Sequence, residues 1–201
     1  MMKILITSFG PFKNSPNNPS NEVMLKLQKR IENNNLFSNN ITWLTLDVSW
    51  MKIDQFVTAI AHEKFDLMIH LGVAINNSLM RIELNAKNNC KGIDIFGKTP
   101  LNNRISEEGQ DFNTNIDTIQ LESFVQKHNR KVRFSEDAGA YLCNYIYYKS
   151  LELFSKKSKV LFIHIADVLN NKEAVSIENQ AELIEELLLE LILIQRSVKT
   201  E

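Results

Sequence analysis

The sequence predicts an α/β fold: a three-layer α/β/α sandwich around a mostly parallel, mixed central sheet, in one domain spanning residues 1–201. Three observations carry this expectation. Short strand-like runs alternate with segments of helical periodicity along the chain. The runs Leu67 to Leu71 and Val160 to Ala166 are almost continuously apolar, as strands covered on both faces are. No internal repeat or low-complexity linker divides the 201 residues.

Lys3 to Ser8 is β-branched-rich and ends at a turn, so it reads as the first strand. Pro11, Pro16 and Pro19, with Asn14, Asn17 and Asn18, make a loop. Asn18-Pro19 has the form of an N-cap followed by proline at the first helical position. Val23, Leu25, Leu27 and Ile31 then continue a helix to about Asn33. Ile41 to Val48 is a second strand. Ile53, Phe56, Val57 and Ile60 recur at helical spacing and predict a helix over Asp54 to Lys64. Leu67 to Leu71, closed by Gly72, is a third strand, and the alternating stretch Met80 to Ala86 is a fourth. Cys90 to Gln110, rich in Gly, Asn, Lys and Pro, reads as loop. A helix over Asn115 to His128 precedes a fifth strand, Lys131 to Ser135. Gly139 to Phe154 is helical, Val160 to Ala166 is the sixth strand, and Ile177 to Gln195 is a long terminal helix.

Composition narrows the function. Hydrophobic residues make up 44% and charged residues 23%, ordinary values for a globular protein. Lys+Arg is 23 and Asp+Glu is 24, a net charge of -1, so no global basic field attracts nucleic acid or an anionic membrane. The opening MMKILITSFGPF is too short an apolar run for a signal peptide, and no segment reaches the roughly 18 apolar residues of a membrane span. Two cysteines, Cys90 and Cys143, form neither a disulfide framework nor a zinc pattern. The expectation is a reduced, cytoplasmic protein without nucleic-acid or membrane partners. The Walker loop, GxGxxG, GxSxG and HExxH patterns are all absent, so no cofactor and no metal is expected.

The chemistry gathers in three segments. Ser135-Glu136-Asp137-Ala138-Gly139-Ala140-Tyr141-Leu142-Cys143-Asn144 puts a cysteine just after a strand and in the first turns of a helix. Backbone N–H groups there stabilise a thiolate, the form in which a cysteine attacks. His164 lies in the sixth strand, and a neutral imidazole is the natural base for a thiol. Glu83 lies between Ile82 and Leu84, where a carboxylate either faces solvent or finds a partner. Site residues in such sheets gather at the carboxyl ends of strands, which allows these three to converge. The residues alone leave other readings open: a packed cysteine, a satisfied core histidine and a solvated glutamate. Cys90 is a weak rival nucleophile and His70 a rival base, while His62 and His128 fall in charged helix tails. Phe9 and Phe12 flank Gly10-Pro11 and serve either as core caps or as walls for a flat ring.

Taken together, the segments resemble pyroglutamyl peptidase type I, also called pyrrolidone-carboxylate peptidase. ILITSFGPFKNSPNNPSNEV is similar to that family's opening strand, phenylalanine-bearing loop and helix start. IHLGVA followed by Glu83, Ala86 and Asn88 is similar to its acid-bearing segment. SEDAGAYLCNYIYYKSL resembles its nucleophile segment, the most specific of the four, and LFIHIADV its histidine strand. The resemblance implies a cysteine exopeptidase that removes N-terminal pyroglutamyl residues from peptides through a thioester acyl-enzyme. It implies Cys143 as nucleophile, His164 as general base and then acid, Glu83 as the orienting carboxylate, and Phe9 and Phe12 against the lactam ring. It also implies pyroglutamylated peptides as partners and a homotetramer, with which the apolar face of the terminal helix (Leu189, Ile192, Leu193) is compatible. One stretch departs. Where many bacterial members carry an Ala-Arg-Ile-Pro-Asp-Asn-like run, this chain reads Cys90-Lys91-Gly92-Ile93-Asp94-Ile95-Phe96-Gly97, without the arginine and closer to the animal branch. That departure motivates an alternative, a catalytically impaired binding module of the same fold. A redox sensor pairing Cys143 with Cys90 is a third reading.

Overall fold

The computed structural model describes residues 2–12, 16–34 and 40–198, excluding the side chains of residues 120 and 194–198. Among the described residues the order is β1 (Ile4–Phe9), α1 (Pro19–Asn33), β2 (Ile41–Leu46), α2 (Trp50–Ala59), β3 (Leu67–Ala74), β4 (Met80–Glu83), β5 (Asn85–Ala86) and β6 (Phe112–Asn113). Then follow α3 (Thr118–Lys127), β7 (Val132–Ser135), α4 (Leu142–Phe154), β8 (Lys159–Ala166) and α5 (Ile177–Val198). The main sheet has the order β2-β1-β3-β8-β4-β7. The pairs β1–β2, β1–β3, β3–β8 and β4–β7 are parallel and β4–β8 is antiparallel. The mixed, mostly parallel sheet expected from the sequence is therefore the one found. β5 and β6 form a separate two-stranded ribbon.

Alternation along the strands sorts side chains between two cores. Ile4 and Ile6 of β1, Leu67, Ile69 and Leu71 of β3, and Leu161, Ile163 and Ile165 of β8 pack with α1, α3 and α5. Leu5, Phe9, Met68, Val160 and Phe162 pack with α2 and α4 on the opposite face. The period of two along a strand makes this division automatic. It also assigns the polar residues: His164 follows Phe162 by two and so shares the α4 face, as do His70 and Gly72 of β3, which follow Met68.

The start of α1 is as the sequence predicts, with Asn18 accepting from the Ser20 N–H at 3.0 Å and Pro19 at the first helical position. Elsewhere boundaries move for identifiable reasons. α2 begins at Trp50 rather than Asp54, because Asp94 Oδ2, distant in sequence, accepts the Trp50 N–H at 3.2 Å. β3 continues through Gly72, because β8 keeps pairing beside it with Gly72 opposite His164 and Ala74 opposite Ala166. α3 starts after Asp117, which caps it, and the Asn115 side chain instead donates to the Ser155 and Ser158 carbonyls. α4 starts at Leu142, because Gly139 has φ +83, outside the helical region. The stretch expected as one strand over Met80 to Ala86 divides into β4 and β5.

Candidate active site

Cys143 is the second residue of α4 and is half-buried. The chain reaches it from β7 through a tight turn in which Asp137 Oδ1 accepts the Gly139 N–H at 3.0 Å. Gly139 takes the positive φ that glycine adopts without steric cost. No side chain caps α4 at Tyr141, so the first-turn N–H groups next to the sulfur are not satisfied by a cap.

β8 brings His164 to the same place. His164 is 6% exposed, and its ring meets that of Phe162 edge-on with 4.8 Å between centroids. Glu83 ends β4, the antiparallel neighbour, where it stands opposite Phe162. That register puts Glu83 diagonal to His164 on one face, within reach of a long side chain. Glu83 Oε1 meets His164 Nδ1 at 2.7 Å, and the carboxylate is fully buried. His164 and Cys143 line the same cavity, and the Cys143 side chain helps to raise the His164 pKa. With Nδ1 engaged by Glu83, Nε2 is the nitrogen left for the sulfur.

The electrostatics follow from these neighbours. Burial opposes charging of His164 most strongly. Interactions with the Cys143 and Glu83 side chains outweigh it and raise the imidazole pKa to about 9. Glu83 Oε2 is buried without a hydrogen-bond partner. A carboxylate in that position is tolerated because an imidazolium lies against its other oxygen.

Three residues shape the surroundings, and the sequence alone does not single them out. Gly72 reads as the end of a strand. A Cβ built on it would lie 2.7 Å from Cys143 Sγ and 2.8 Å from the Phe162 ring, so the missing side chain is the space the sulfur occupies. Asn144, fully buried beside the cysteine, accepts the Lys87 N–H at 2.8 Å and donates to the Lys87 and Asn89 carbonyls at 2.7 and 2.9 Å. It fastens the segment after Glu83 to the start of α4. Arg81, two residues before Glu83, lines the cavity above the sulfur.

That cavity, of about 310 Å³, is lined by Phe9, Phe12, Val48, Ala138, Cys143 and His164 among others. Both phenylalanines singled out in the sequence thus border the same space as the sulfur and the imidazole. The loop that departs from the bacterial pattern is tied to two residues of that wall, Ala140 and Tyr141. The Lys91 N–H donates to the Ala140 carbonyl at 2.7 Å, and Tyr141 Oη donates to the Ile93 carbonyl at 2.9 Å. Asp94 closes a turn on the Phe96 and Lys98 N–H groups, both at 2.9 Å.

The rival residues fall elsewhere. His70 does not line the cavity: it is fully buried between Thr7 Oγ1 at 2.8 Å and Ser150 Oγ at 2.9 Å. Burial lowers its pKa to about 3, so it is a neutral structural imidazole. Cys90 is buried with Sγ 3.1 Å from the Asn102 carbonyl, and burial followed by the charge of Asp54 pushes its pKa up, the opposite of a reactive thiol. His128 pairs with Glu186 at 3.1 Å on the far side of the sheet, and His62 follows α2 at the surface.

An imidazole held by a buried carboxylate and a cysteine lining the same cavity, on a mixed α/β sheet, define a cysteine peptidase of the α/β class. Residues 2–184 match the model of the pyroglutamyl peptidase family, and the chain belongs to that family. The pyrrolidone-carboxylate peptidase of Thermosipho africanus is 33% identical over 187 residues, covering 87% of this chain and 88% of that one. That of Thermosipho melanesiensis is 28% identical over 170 residues, 82% of each chain. The pyrrolidone carboxyl peptidase of Thermus thermophilus superposes with a TM-score of 0.80 at 24% identity, covering 93% of this chain and 98% of that one. The Thermococcus litoralis enzyme superposes at 0.77 with 22% identity, over 98% and 96% of the two chains. At those identities the two structures speak for the fold.

Proposed function

We propose that this protein is a cysteine exopeptidase, one domain over residues 1–201, that hydrolyses the bond after an N-terminal pyroglutamyl residue. The observation that carries the reading is the Glu83–His164 hydrogen bond with His164 and Cys143 lining one cavity. The lactam ring has no ammonium, and the slot bordered by Phe9 and Phe12 suits it. A free α-ammonium in the same slot would be desolvated at a cost of several kcal/mol, which excludes ordinary N-termini. Cys143 attacks the pyroglutamyl carbonyl, and the uncapped N–H groups at the start of α4 receive the developing oxyanion. His164, held by Glu83, gives its proton to the leaving amine. The resulting thioester is hydrolysed by a water that His164 deprotonates.

The impaired-module alternative gains no support. The relatives are peptidases by name, and the departing loop is hydrogen-bonded to the nucleophile segment rather than detached from it. Two finer readings complete the proposal. The cytoplasm is the compartment, supported by two unpaired thiols; among the described residues no helix is long and apolar enough to cross a membrane. The assembly is a homotetramer, for which exposed Leu193 on α5 and the exposed run Ile93, Ile95 and Phe96 offer apolar contact surface. Ile192, by contrast, is buried in the chain's own core. Light scattering on the purified chain measures the assembly directly.

The test of the activity is release of aminocoumarin from pyroglutamyl-aminomethylcoumarin. The wild-type chain is expected to turn it over, and Cys143→Ala to lose at least about 10³-fold in kcat. Equal turnover by the alanine variant would end the thioester mechanism.

A further inference from the structure

Arg81 is not required by the chemistry above, yet it stands beside it. In the sheet it is the register partner of His164 on β8 and of Arg133 on β7. Both guanidiniums donate an Nη2 hydrogen to one neutral atom, Asn77 Oδ1, at 2.8 and 2.9 Å. The other end of that amide donates to the Leu79 carbonyl, which turns its oxygen toward the arginines. Among the described residues neither arginine forms an ion pair with a carboxylate. The acids that border this region are directed elsewhere. Glu83 holds His164. Asp137 holds Lys87 and the Gly139 N–H. Asp167 accepts from the Asn76, Leu169 and Asn170 N–H groups.

Arg81 Nε is moreover buried without a partner. Burial and then the neighbouring Arg133 pull its pKa down, with Glu83 opposing. Arg81, on the wall of the cavity that holds Cys143 and His164, thus shares one neutral acceptor with a second cation, a setting that favours an anion beside it.

We propose that Arg81, backed by Arg133, is a specificity-determining residue that binds a carboxylate on the residue leaving with the amine. The inference rests on the pyroglutamyl-peptidase reading. His164 must face the leaving nitrogen to protonate it. In a free pyroglutamyl dipeptide the α-carboxylate is two bonds from that nitrogen, and Arg81, the register partner of His164, lines the same cavity. A longer peptide has a neutral amide at that point. An acidic side chain on the leaving residue presents the same carboxylate from a second source. Arginine suits either, because its fork pairs a carboxylate through two parallel hydrogen bonds.

The experiment compares kcat/KM of the full chain for pyroglutamyl-alanine, pyroglutamyl-alaninamide and pyroglutamyl-aspartyl-amide. The free dipeptide, or the aspartyl amide if the side chain is the source, is expected to exceed the alaninamide about ten-fold, mainly through KM. In Arg81→Gln the ratio falls to near one. Ratios within one variant cancel any loss of folded protein, and exposed Arg133→Gln, expected to reduce the ratio a few-fold, carries the test if Arg81→Gln does not fold. A wild-type ratio near one, or a ratio unchanged in both variants, overturns the proposal. Absence of cleavage of all three compounds by folded wild-type chain overturns the peptidase reading instead.

Discussion

At the scale of single residues, the site depends on one imidazole whose charge is set by its neighbours. With a pKa raised to about 9, His164 remains protonated through neutral pH and loses its proton above that value. The alkaline limb of kcat/KM is therefore expected near pH 9. Glu83→Gln removes one of the two interactions that raise this pKa, so the limb should move to lower pH while kcat/KM falls about 10²–10⁴-fold. A pH–rate profile of the variant that kept the limb in place would show that Glu83 does not tune the base. Gly72 makes a sharper demand on space. Gly72→Ala places a carbon 2.7 Å from the sulfur, so the sulfur or the strand must shift. Activity is expected to fall at least about ten-fold while the chain stays folded, because misplacing the reacting atom costs rate before it costs the core. Steady-state kinetics with circular dichroism on one preparation separates the two. The Ala138-Gly139 turn makes Cys143 a candidate in the sequence, which places the helix start at Gly139 where the structure has it at Leu142. The sequence does not decide His164 or Glu83, since apolar neighbours surround a core histidine and a catalytic one alike, and alternation does not say which face of β4 is buried. Gly72 and Arg81 are illegible in sequence because their meaning lies in the register of β3, β4 and β8.

At the scale of elements, the strands were readable where apolar runs coincide with full burial, as in β3 and β8. Boundaries escaped wherever a distant side chain sets them, as Asp94 does for α2. The short pairs β5 and β6 carry too few residues for any periodicity. Yet β5 leads into the segment that Asn144 secures. Asn144→Ala would leave the Lys87 N–H and the Lys87 and Asn89 carbonyls without their partner in a partly buried setting. A loss of roughly 2–4 kcal/mol of stability is expected, at about 1 kcal/mol per bond plus the cost of stranded groups. Hydrogen exchange should accelerate at Lys87–Asn89 before it does in β3. Protection unchanged in that segment would mean the loop is held by other contacts.

At the scale of the whole molecule, two buried histidines bound stability from opposite sides. His70 has a depressed folded pKa, about 3 against 6.5, so its contribution is present above pH 6.5 and is lost as pH falls toward 3. His164 has a raised folded pKa, so its contribution is present below pH 6.5 and is lost as pH rises through about 9. The denaturation midpoint should therefore peak near pH 6.5, and His70→Gln should flatten the acid side alone. Denaturant titrations at pH 4.5, 6.5 and 9 measure both arms, and an acid arm equally steep in His70→Gln would assign it to other groups.

The strand order has a consequence for how the chain is made. β8 is the last strand to leave the ribosome, yet it fills the place between β3 and β4. Without β8, β3 and β4 share no neighbour in the sheet, and the proposed base, His164, is absent from the chain. On the proposed mechanism, hydrolytic competence is therefore expected only once the closing strand has been made.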